Sequence, residues 1–177
     1  MSEKKGPGLF QVYTGDGKGK TTAAIGLAVR AAGRDLNIYF GQFMKGTEYG
    51  EQIALERFDE EITLEQYGEE GLHVTDSPSE EEIKMAKRGL QKIKDALNSG
   101  KFDVVIADEI CVAHHFNLLS LEELVDLVED APEGVELVFT GRKAPEEIIE
   151  LADLVTEMKE IKHPYQEGIE ARKGIEF

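Results

Sequence analysis

The sequence predicts an α/β fold with a mostly parallel sheet and helices on both faces. Short apolar runs typical of strands alternate along the chain with segments of helical periodicity. One run, Phe102–Ala107, is almost entirely apolar, as expected for a strand buried on both faces. Such alternation favours parallel strands joined by crossover helices. The length of 177 residues suits one domain, so we expect a single domain over residues 1–177.

The first half of the chain predicts three strands and three helices. The strands are expected at Leu9–Tyr13, Leu36–Phe43 and Ile62–Tyr67, and the helices at Thr21–Ala32, at Tyr49–Phe58 and after Ser79. Ser79 suits the cap of the third helix because Glu82 follows three residues later, as in a capping box. Apolar residues then repeat at spacings of three and four up to Leu97.

The second half predicts three more strands and two more helices. The strands are expected at Phe102–Ala107, Val135–Thr140 and Leu154–Met158, and the helices at Leu119–Val128 and Pro145–Leu151. Residues 68–78, GEEGLHVTDSP, form the one long stretch without a clear period, and long loops of compact domains are often functional.

The charge and the single cysteine restrict the partners and the compartment. The net charge of −16 argues against nucleic acid as the main partner, although a nucleotide needs only a local basic patch. No apolar run approaches the roughly 20 residues that span a bilayer, and the N-terminus lacks the apolar stretch of a secretory signal. Cys111 cannot form an internal disulfide, so we expect a cytoplasmic protein without a membrane partner.

A glycine-rich stretch, TGDGKGKTT at residues 14–22, joins the first strand to the first helix. Glycines allow the backbone to wrap an anion with its N–H groups, and the following helix presents its positive end. Lys20 would reach the phosphates, and the Thr21 hydroxyl would bind Mg²⁺. The sequence therefore predicts a single-domain fold of the P-loop NTPase type, similar to RecA.

The spacing of this loop departs from the usual G-x-x-x-x-G-K-[ST] pattern. The first glycine stands at position 15, where the pattern requires position 14 and the chain has Thr14. We therefore expect the loop to hold its triphosphate differently from a kinase or a GTPase.

A second motif, VVIADE at residues 104–109, ends an apolar strand with two carboxylates. Asp108 and Glu109 would face the crevice at the carboxyl ends of the parallel strands. One of them should reach Mg²⁺, directly or through water.

Five segments together resemble the cob(I)alamin (corrinoid) adenosyltransferases of the ATP-binding P-loop type. They are TGDGKGKTTAAIGLAVRAAG, QFMKG, VVIADEI, FTGRKAPEEIIELADLVTEM and KHPYQEGIEARKGIE, and the shortened glycine loop belongs to the same family pattern. The resemblance implies transfer of the 5′-deoxyadenosyl group of ATP to the Co(I) of a corrinoid, with release of triphosphate. It further implies Mg²⁺ or Mn²⁺, a homodimer, and a flavoprotein as electron donor.

The resemblance also assigns site residues. The triphosphate would be held by the loop, at Gly15, Asp16, Gly17, Lys18, Gly19, Lys20, Thr21 and Thr22. Lys20, Thr21 and Glu109 would be catalytic, and the metal would lie on Thr21 and Glu109 with Asp108 nearby.

Four more residues are candidates for contact with the nucleotide or the corrinoid: Arg30, Gln42, Lys45 and Arg142. Arg30 is equally compatible with a surface position, and Arg142 with a structural ion pair.

The corrinoid side is expected in residues 68–76, where the family places aromatic residues that strip the lower ligand from cobalt. This chain has no tryptophan and offers Leu72, His73 and Val74 there. The preferred corrinoid stays open among cobalamin, cobinamide and a cobyrinic acid diamide.

Two other functions compete with adenosyl transfer: a small P-loop kinase or NTP hydrolase, and a nucleotide-binding module without turnover. The kinase or hydrolase would release ADP, whereas the transferase would release triphosphate.

Overall fold

The computed structural model describes residues 6–46, 49–68 and 77–176. Within these ranges six strands are seen, β1 (Phe10–Thr14), β2 (Ile38–Phe43), β3 (Ile62–Tyr67), β4 (Val104–Asp108), β5 (Glu136–Thr140) and β6 (Leu154–Glu157). The α-helices are α1 (Lys20–Ala32), α2 (Gly50–Leu55), α3 (Glu80–Asn98), α4 (Ile110–His115), α5 (Leu121–Glu129) and α6 (Glu146–Leu151). Two 3₁₀ turns lie at Glu56–Phe58 and Pro164–Glu167.

All six strands belong to one parallel sheet, in the order β3-β2-β4-β5-β1-β6. Strand β5 therefore lies between β1, which leads into the glycine-rich loop, and β4, which ends in the acidic pair. This order brings the carboxyl ends of β1, β4 and β5 together at one edge of the sheet, where ligands bind in open α/β folds. The fold is of the P-loop NTPase type that the sequence predicts.

Helices cover both faces of the sheet. On one face, buried residues of α3, α4, α5 and α6 pack against the strands, among them Ile93, Ile110, Leu124 and Ile148. On the other face, α1 contributes a stripe of alanines at positions 24, 28, 31 and 32, and α2 contributes Leu55. These small side chains let α1 lie close to the strands. The glycine-rich loop that precedes α1 is therefore held against the sheet.

The predicted capping box of α3 is confirmed. The Ser79 hydroxyl accepts the Glu82 N–H at 3.2 Å, and the Glu82 carboxylate accepts the Ser79 N–H at 2.6 Å. The bond from the Ser79 N–H to the carboxylate lowers the pKa of Glu82. Because two unpaired N–H groups of the first turn gain partners, the helix begins where the sequence indicates.

One helix, α4, is not predicted by the sequence. It begins at Ile110, directly after Glu109, which adopts a left-handed conformation with φ of +63°. That single residue turns the chain from β4 into a short helix, and the following letters ICVAHH carry no capping signal of their own. Cys111 is buried in this helix, as expected for a packing residue, and burial raises the pKa of its thiol to about 12.

Within the described ranges, no helix combines the length and the apolar character needed to cross a bilayer.

Candidate active site

A cavity of about 570 Å³ opens at the carboxyl edge of the sheet, and we call it the crevice. Five parts of the chain line it: the loop and first turn of α1, the region of Lys45 and α2, the end of β4 with α4, the segment after β5, and the C-terminal residues. Its charged lining residues are Lys18, Lys20, Lys45, Glu51, Glu109, Arg142 and Glu176. Residues that are far apart in the sequence thus face one space of a size suited to a nucleotide.

The glycine loop, residues 15–19, has a backbone that only glycine suits at key points. Gly15 and Gly19 have φ of +96° and +123°. A Cβ on Gly17 would lie 2.7 Å from the Met158 carbonyl oxygen, which leaves no room for a side chain. The Gly17 N–H donates to that carbonyl at 2.7 Å, and the Met158 N–H donates to the Thr14 carbonyl at 2.8 Å. The chain just after β6 thus fixes the shape of the loop.

Lys20 lies inside this loop and is almost fully buried. Its ammonium donates to the carbonyl oxygens of Gly15 and Gly17, both at 2.7 Å. Burial lowers the pKa of Lys20, and the neighbouring Glu109 carboxylate opposes that shift. The lysine therefore places a positive charge at the floor of the crevice while it bridges the loop.

Asp108 is the most densely bonded acidic group of the site and is fully buried. Its Oδ1 accepts the hydroxyls of Thr21 at 2.9 Å and Thr140 at 2.7 Å. Its Oδ2 accepts the Gln42 amide and the Lys45 ammonium, both at 3.2 Å. Four donors saturate the carboxylate. Asp108, at the end of β4, therefore joins the first turn of α1 to the ends of β2 and β5.

Glu109 differs from its neighbour because it faces the crevice. Its N–H donates to the Thr140 hydroxyl oxygen at 2.9 Å, which helps to hold the left-handed backbone. Strained backbone of this kind concentrates at functional positions. Burial and the nearby Asp108 raise the pKa of Glu109, while Lys45, Lys20 and Arg142 lower it in part. A cation bound beside this carboxylate would relieve its electrostatic cost.

Gln42 and Lys45, both predicted site residues, lie at different depths below the surface of the crevice. Gln42 is fully buried and bonds to Glu51 and Gln66 as well as Asp108, so it supports the site from behind. Lys45 lines the crevice and lies between Asp108 and Glu51, both at 3.2 Å. Burial alone would lower the pKa of Lys45, but the two carboxylates raise it overall.

The remaining predicted residues divide clearly. Thr22 and Arg142 line the crevice with the loop. Arg30 does not: it lies ten residues beyond Lys20 on α1, about 15 Å along the helix axis. It lines a separate cavity at the other end of the sheet, beside Asp103 and Glu136. The surface alternative for Arg30 therefore fits the geometry better than nucleotide contact within the same chain.

Several lining or supporting residues are absent from the predicted site, among them Thr140, Glu51 and Glu176. The sequence does place Thr140 at the end of a predicted strand, at the same edge of the sheet as the site. Its bonds to Asp108 and Glu109, however, depend on β5 lying beside β4. The predicted corrinoid residues Leu72, His73 and Val74 lie outside the described residues.

The oxygen donors of the crevice fit a magnesium ion. Thr21 offers a hydroxyl and Glu109 a carboxylate, and such hard donors suit Mg²⁺ held jointly with substrate phosphates. Among residues 6–46, 49–68 and 77–176, no group of three or more His, Cys, Asp or Glu side chains could hold a metal alone. A metal ion held by Thr21 and Glu109 would need further oxygen ligands, such as those of a bound phosphate.

The parallel sheet, the glycine loop at the start of α1 and the buried acid at the end of β4 define a P-loop nucleotide-binding protein. Comparison with known families gives the particular class. The family model described as ATP:corrinoid adenosyltransferase BtuR/CobO/CobP matches residues 6–177, so the chain belongs to the ATP:corrinoid adenosyltransferase family.

Curated relatives agree with this assignment. A corrinoid adenosyltransferase of Sinorhizobium sp. is 36% identical over 172 residues, covering 96% of this chain and 80% of that protein. The corrinoid adenosyltransferase of Escherichia coli K12 is 36% identical over 171 residues, with coverages of 96% and 86%. Corrinoid adenosyltransferase CobA of Salmonella typhimurium is 34% identical over 171 residues, with the same coverages.

Proposed function

We propose that this enzyme transfers the 5′-deoxyadenosyl group of ATP to the Co(I) of a corrinoid and releases triphosphate. One observation carries the proposal: in a chain of this family, the glycine loop, Lys18 and Lys20 face the same crevice as Thr21 and Glu109. That arrangement suits a ligand with several linked phosphates.

The reaction forms a cobalt–carbon bond and breaks the bond between C5′ and O5′ of ATP. The two electrons of Co(I) make the new bond, and the electron pair of the broken bond leaves with the triphosphate oxygen. Because Co(I) is itself a strong nucleophile, no protein base is needed. The protein must align the two substrates and stabilise the charge on the departing triphosphate.

The residues of the loop supply that stabilisation. Lys18 and Lys20 add positive charge, and the unpaired N–H groups at the start of α1 form the positive end of the helix dipole. Of the loop amides, Gly17 is already bonded to Met158. The remaining amides are left to bind the triphosphate, and Lys18 and Lys20 would exchange present hydrogen-bond partners for it.

Thr21 and Glu109 would hold Mg²⁺ or Mn²⁺. Bound there, the metal neutralises charge on the phosphate oxygens. Asp108 orients the Thr21 hydroxyl through the 2.9 Å bond and lies too deep to face the substrate. We assign Asp108 a positioning role and Glu109 the role of direct metal ligand.

Product analysis tests the proposal. The protein is incubated with ATP, Mg²⁺ and a chemically reduced corrinoid, and the loss of the Co(I) spectrum is followed together with the phosphate product. We expect triphosphate in equal amount to the alkylated corrinoid. ADP or orthophosphate without a cobalt–carbon bond would instead identify the kinase or hydrolase, which the comparisons do not favour.

Two variants test the residue roles. Lys20→Ala and Glu109→Ala should each remove most turnover, whereas the exposed controls Lys101→Ala and Glu150→Ala should retain it. Near-normal rates in either site variant, with the fold intact, would refute that residue's role.

Assembly, reductant and compartment complete the proposal. A homodimer is supported by the family resemblance and by Leu154 and Val155, which are exposed on the edge strand β6. Sedimentation at working concentration tests it, and a monomeric mass would refute it.

Because Co(I) must be generated by reduction, a flavoprotein donor in the cytoplasm is proposed. Co(I) formation with purified flavoprotein tests the donor, and cell fractionation tests the location.

A further inference from the structure

The C-terminal segment, residues 172–176, returns to the glycine loop. The ammonium of Lys18 donates to the Ile175 carbonyl and to the Glu176 carboxylate, both at 3.0 Å. Gly174, Ile175 and Glu176 line the crevice together with residues of the loop. A segment about 158 residues away in sequence therefore forms one wall of the site assigned to the triphosphate.

The segment is folded so that it presents the Glu176 carboxylate. The Arg172 N–H donates to that carboxylate at 2.7 Å, and the Arg172 guanidinium donates at 3.0 and 3.3 Å. The N–H groups of Ile175 and Glu176 both donate to the Arg172 carbonyl, which closes a turn. The carboxylate therefore reaches Lys18 from a closed turn.

The contact between Lys18 and Glu176 is suited to exchange. The side chains are 45% and 23% exposed, and ion pairs with such access to water are weak. A triphosphate carries several negative charges and makes stronger charge-assisted hydrogen bonds to an ammonium group. Lys18 should therefore leave Glu176 for phosphate when both are within reach.

The other lysines of the crevice cannot replace Lys18 in this exchange. Lys20 is bonded to two loop carbonyls, and Lys45 lies between Asp108 and Glu51. Glu176 therefore neutralises the loop cation that is best placed to meet a phosphate from the open side of the crevice.

We propose that Glu176 is an internal competitor of the triphosphate: it yields Lys18 when ATP binds and reclaims it to help expel the triphosphate product. The inference rests on the proposed function, since it assumes that the loop holds these phosphates. Its physical basis is like-charge repulsion between the Glu176 carboxylate and the phosphates, together with competition between the two for hydrogen bonds from the Lys18 ammonium. Release of a highly charged product is the step that such competition accelerates.

Binding of inorganic triphosphate, measured by calorimetry with the full chain, tests the inference. Glu176→Gln should bind inorganic triphosphate about two- to fivefold more tightly than the unmodified protein, the scale of an exposed ion pair. The matched control Glu170→Gln removes the same charge from an exposed position of the same tail and should leave the affinity unchanged. Combining Glu176→Gln with Lys18→Ala should abolish the gain.

The opposite outcomes overturn it. Weaker triphosphate binding by Glu176→Gln would mean that the segment closes over the ligand, and an affinity equal to that of Glu170→Gln would mean that it does not compete. Failure of the proposed function is distinguishable, because the unmodified protein would then bind no inorganic triphosphate, or Lys20→Ala would bind it normally.

Discussion

The hydroxyl of Thr140 lies 2.7 Å from Oδ1 of Asp108 and, through the same oxygen, accepts the N–H of Glu109 at 2.9 Å. One buried side chain at the end of β5 thus sets both members of the acidic pair at the end of β4. The contact exists because β5 lies between β1 and β4 in the sheet.

Two substitutions of Thr140 should distinguish the effect of its hydroxyl from the effect of its side-chain volume. Thr140→Val removes a donor and an acceptor in a buried place, which costs about 1–3 kcal/mol for each group left unpaired. We also expect a higher Mg²⁺ concentration for half-maximal activity, because Glu109 loses its orientation. Thr140→Ser keeps the hydroxyl and should restore the Mg²⁺ dependence. Titration of activity with Mg²⁺ and urea unfolding check both statements, and a valine variant with unchanged Mg²⁺ dependence would contradict them.

Substitutions of the two acids should give different phenotypes. Asp108→Ala takes an acceptor from the Thr21 and Thr140 hydroxyls and from Gln42 and Lys45, of which the last two keep Glu51, so it should destabilise the fold by about 1–3 kcal/mol for each donor left unpaired. Glu109→Gln should instead raise stability at neutral pH, because the raised pKa of Glu109 means that folding disfavours its charged form. Urea unfolding at constant pH measures both. Equal destabilisation by the two substitutions would show that the acids share one role.

Two helix glycines should respond oppositely to alanine. Gly26 is exposed in α1 with nothing within 4 Å of an added Cβ, so Gly26→Ala should stabilise the protein by about 0.5–1 kcal/mol. Gly89 in α3 faces Tyr67, and an added Cβ would lie 2.4 Å from its ring. Gly89→Ala should therefore destabilise by about 1–3 kcal/mol. Denaturant midpoints compare them, and a stabilising Gly89→Ala would mean that the Tyr67 ring moves at little cost.

Two tyrosines should ionise late. The hydroxyls of Tyr39 and Tyr67 share a hydrogen bond in the core. Burial raises the pKa of Tyr39 to about 12, and burial raises the pKa of Tyr67 as well. Because the folded pKa exceeds the unfolded value, this contribution to stability is complete below pH of about 10 and is lost as pH rises through about 12.

Phenolate absorbance during alkaline titration measures this effect. Of the five tyrosines, we expect Tyr39 and Tyr67 to ionise only together with unfolding, and burial also raises the pKa of Tyr13. Tyr39→Phe should leave one such late tyrosine, and a titration in which all the tyrosines ionise in the ordinary range would rule out the buried pair.

Much of the fold was predictable because its signals are local. Strand-like runs, the glycine loop before α1 and the Ser79–Glu82 box each act over a few residues, and the structure confirms them. The pair at 108–109 was also recognisable from its place after an apolar strand.

What the sequence could not give depends on contacts between distant segments. Nothing in VVIADE distinguishes the saturated Asp108 from the accessible Glu109, because the donors come from Gln42 and Thr140 on other strands. The position of Arg30 depends on which way α1 runs from the loop. The return of Glu176 to Lys18 joins the two ends of the chain, which no local pattern encodes.

The hydrogen bond from Gly17 to Met158 bears on the thermodynamics of recognition. A flexible glycine-rich stretch would lose backbone freedom on meeting its ligand, and that entropy would be subtracted from the affinity. Here the backbone after β6 already restricts the loop when the protein folds. The entropy cost of ordering the loop therefore lowers the stability of the folded protein and not its affinity for the ligand. Association with a polyanion should accordingly show little of the entropic penalty typical of loops that become ordered only in the complex.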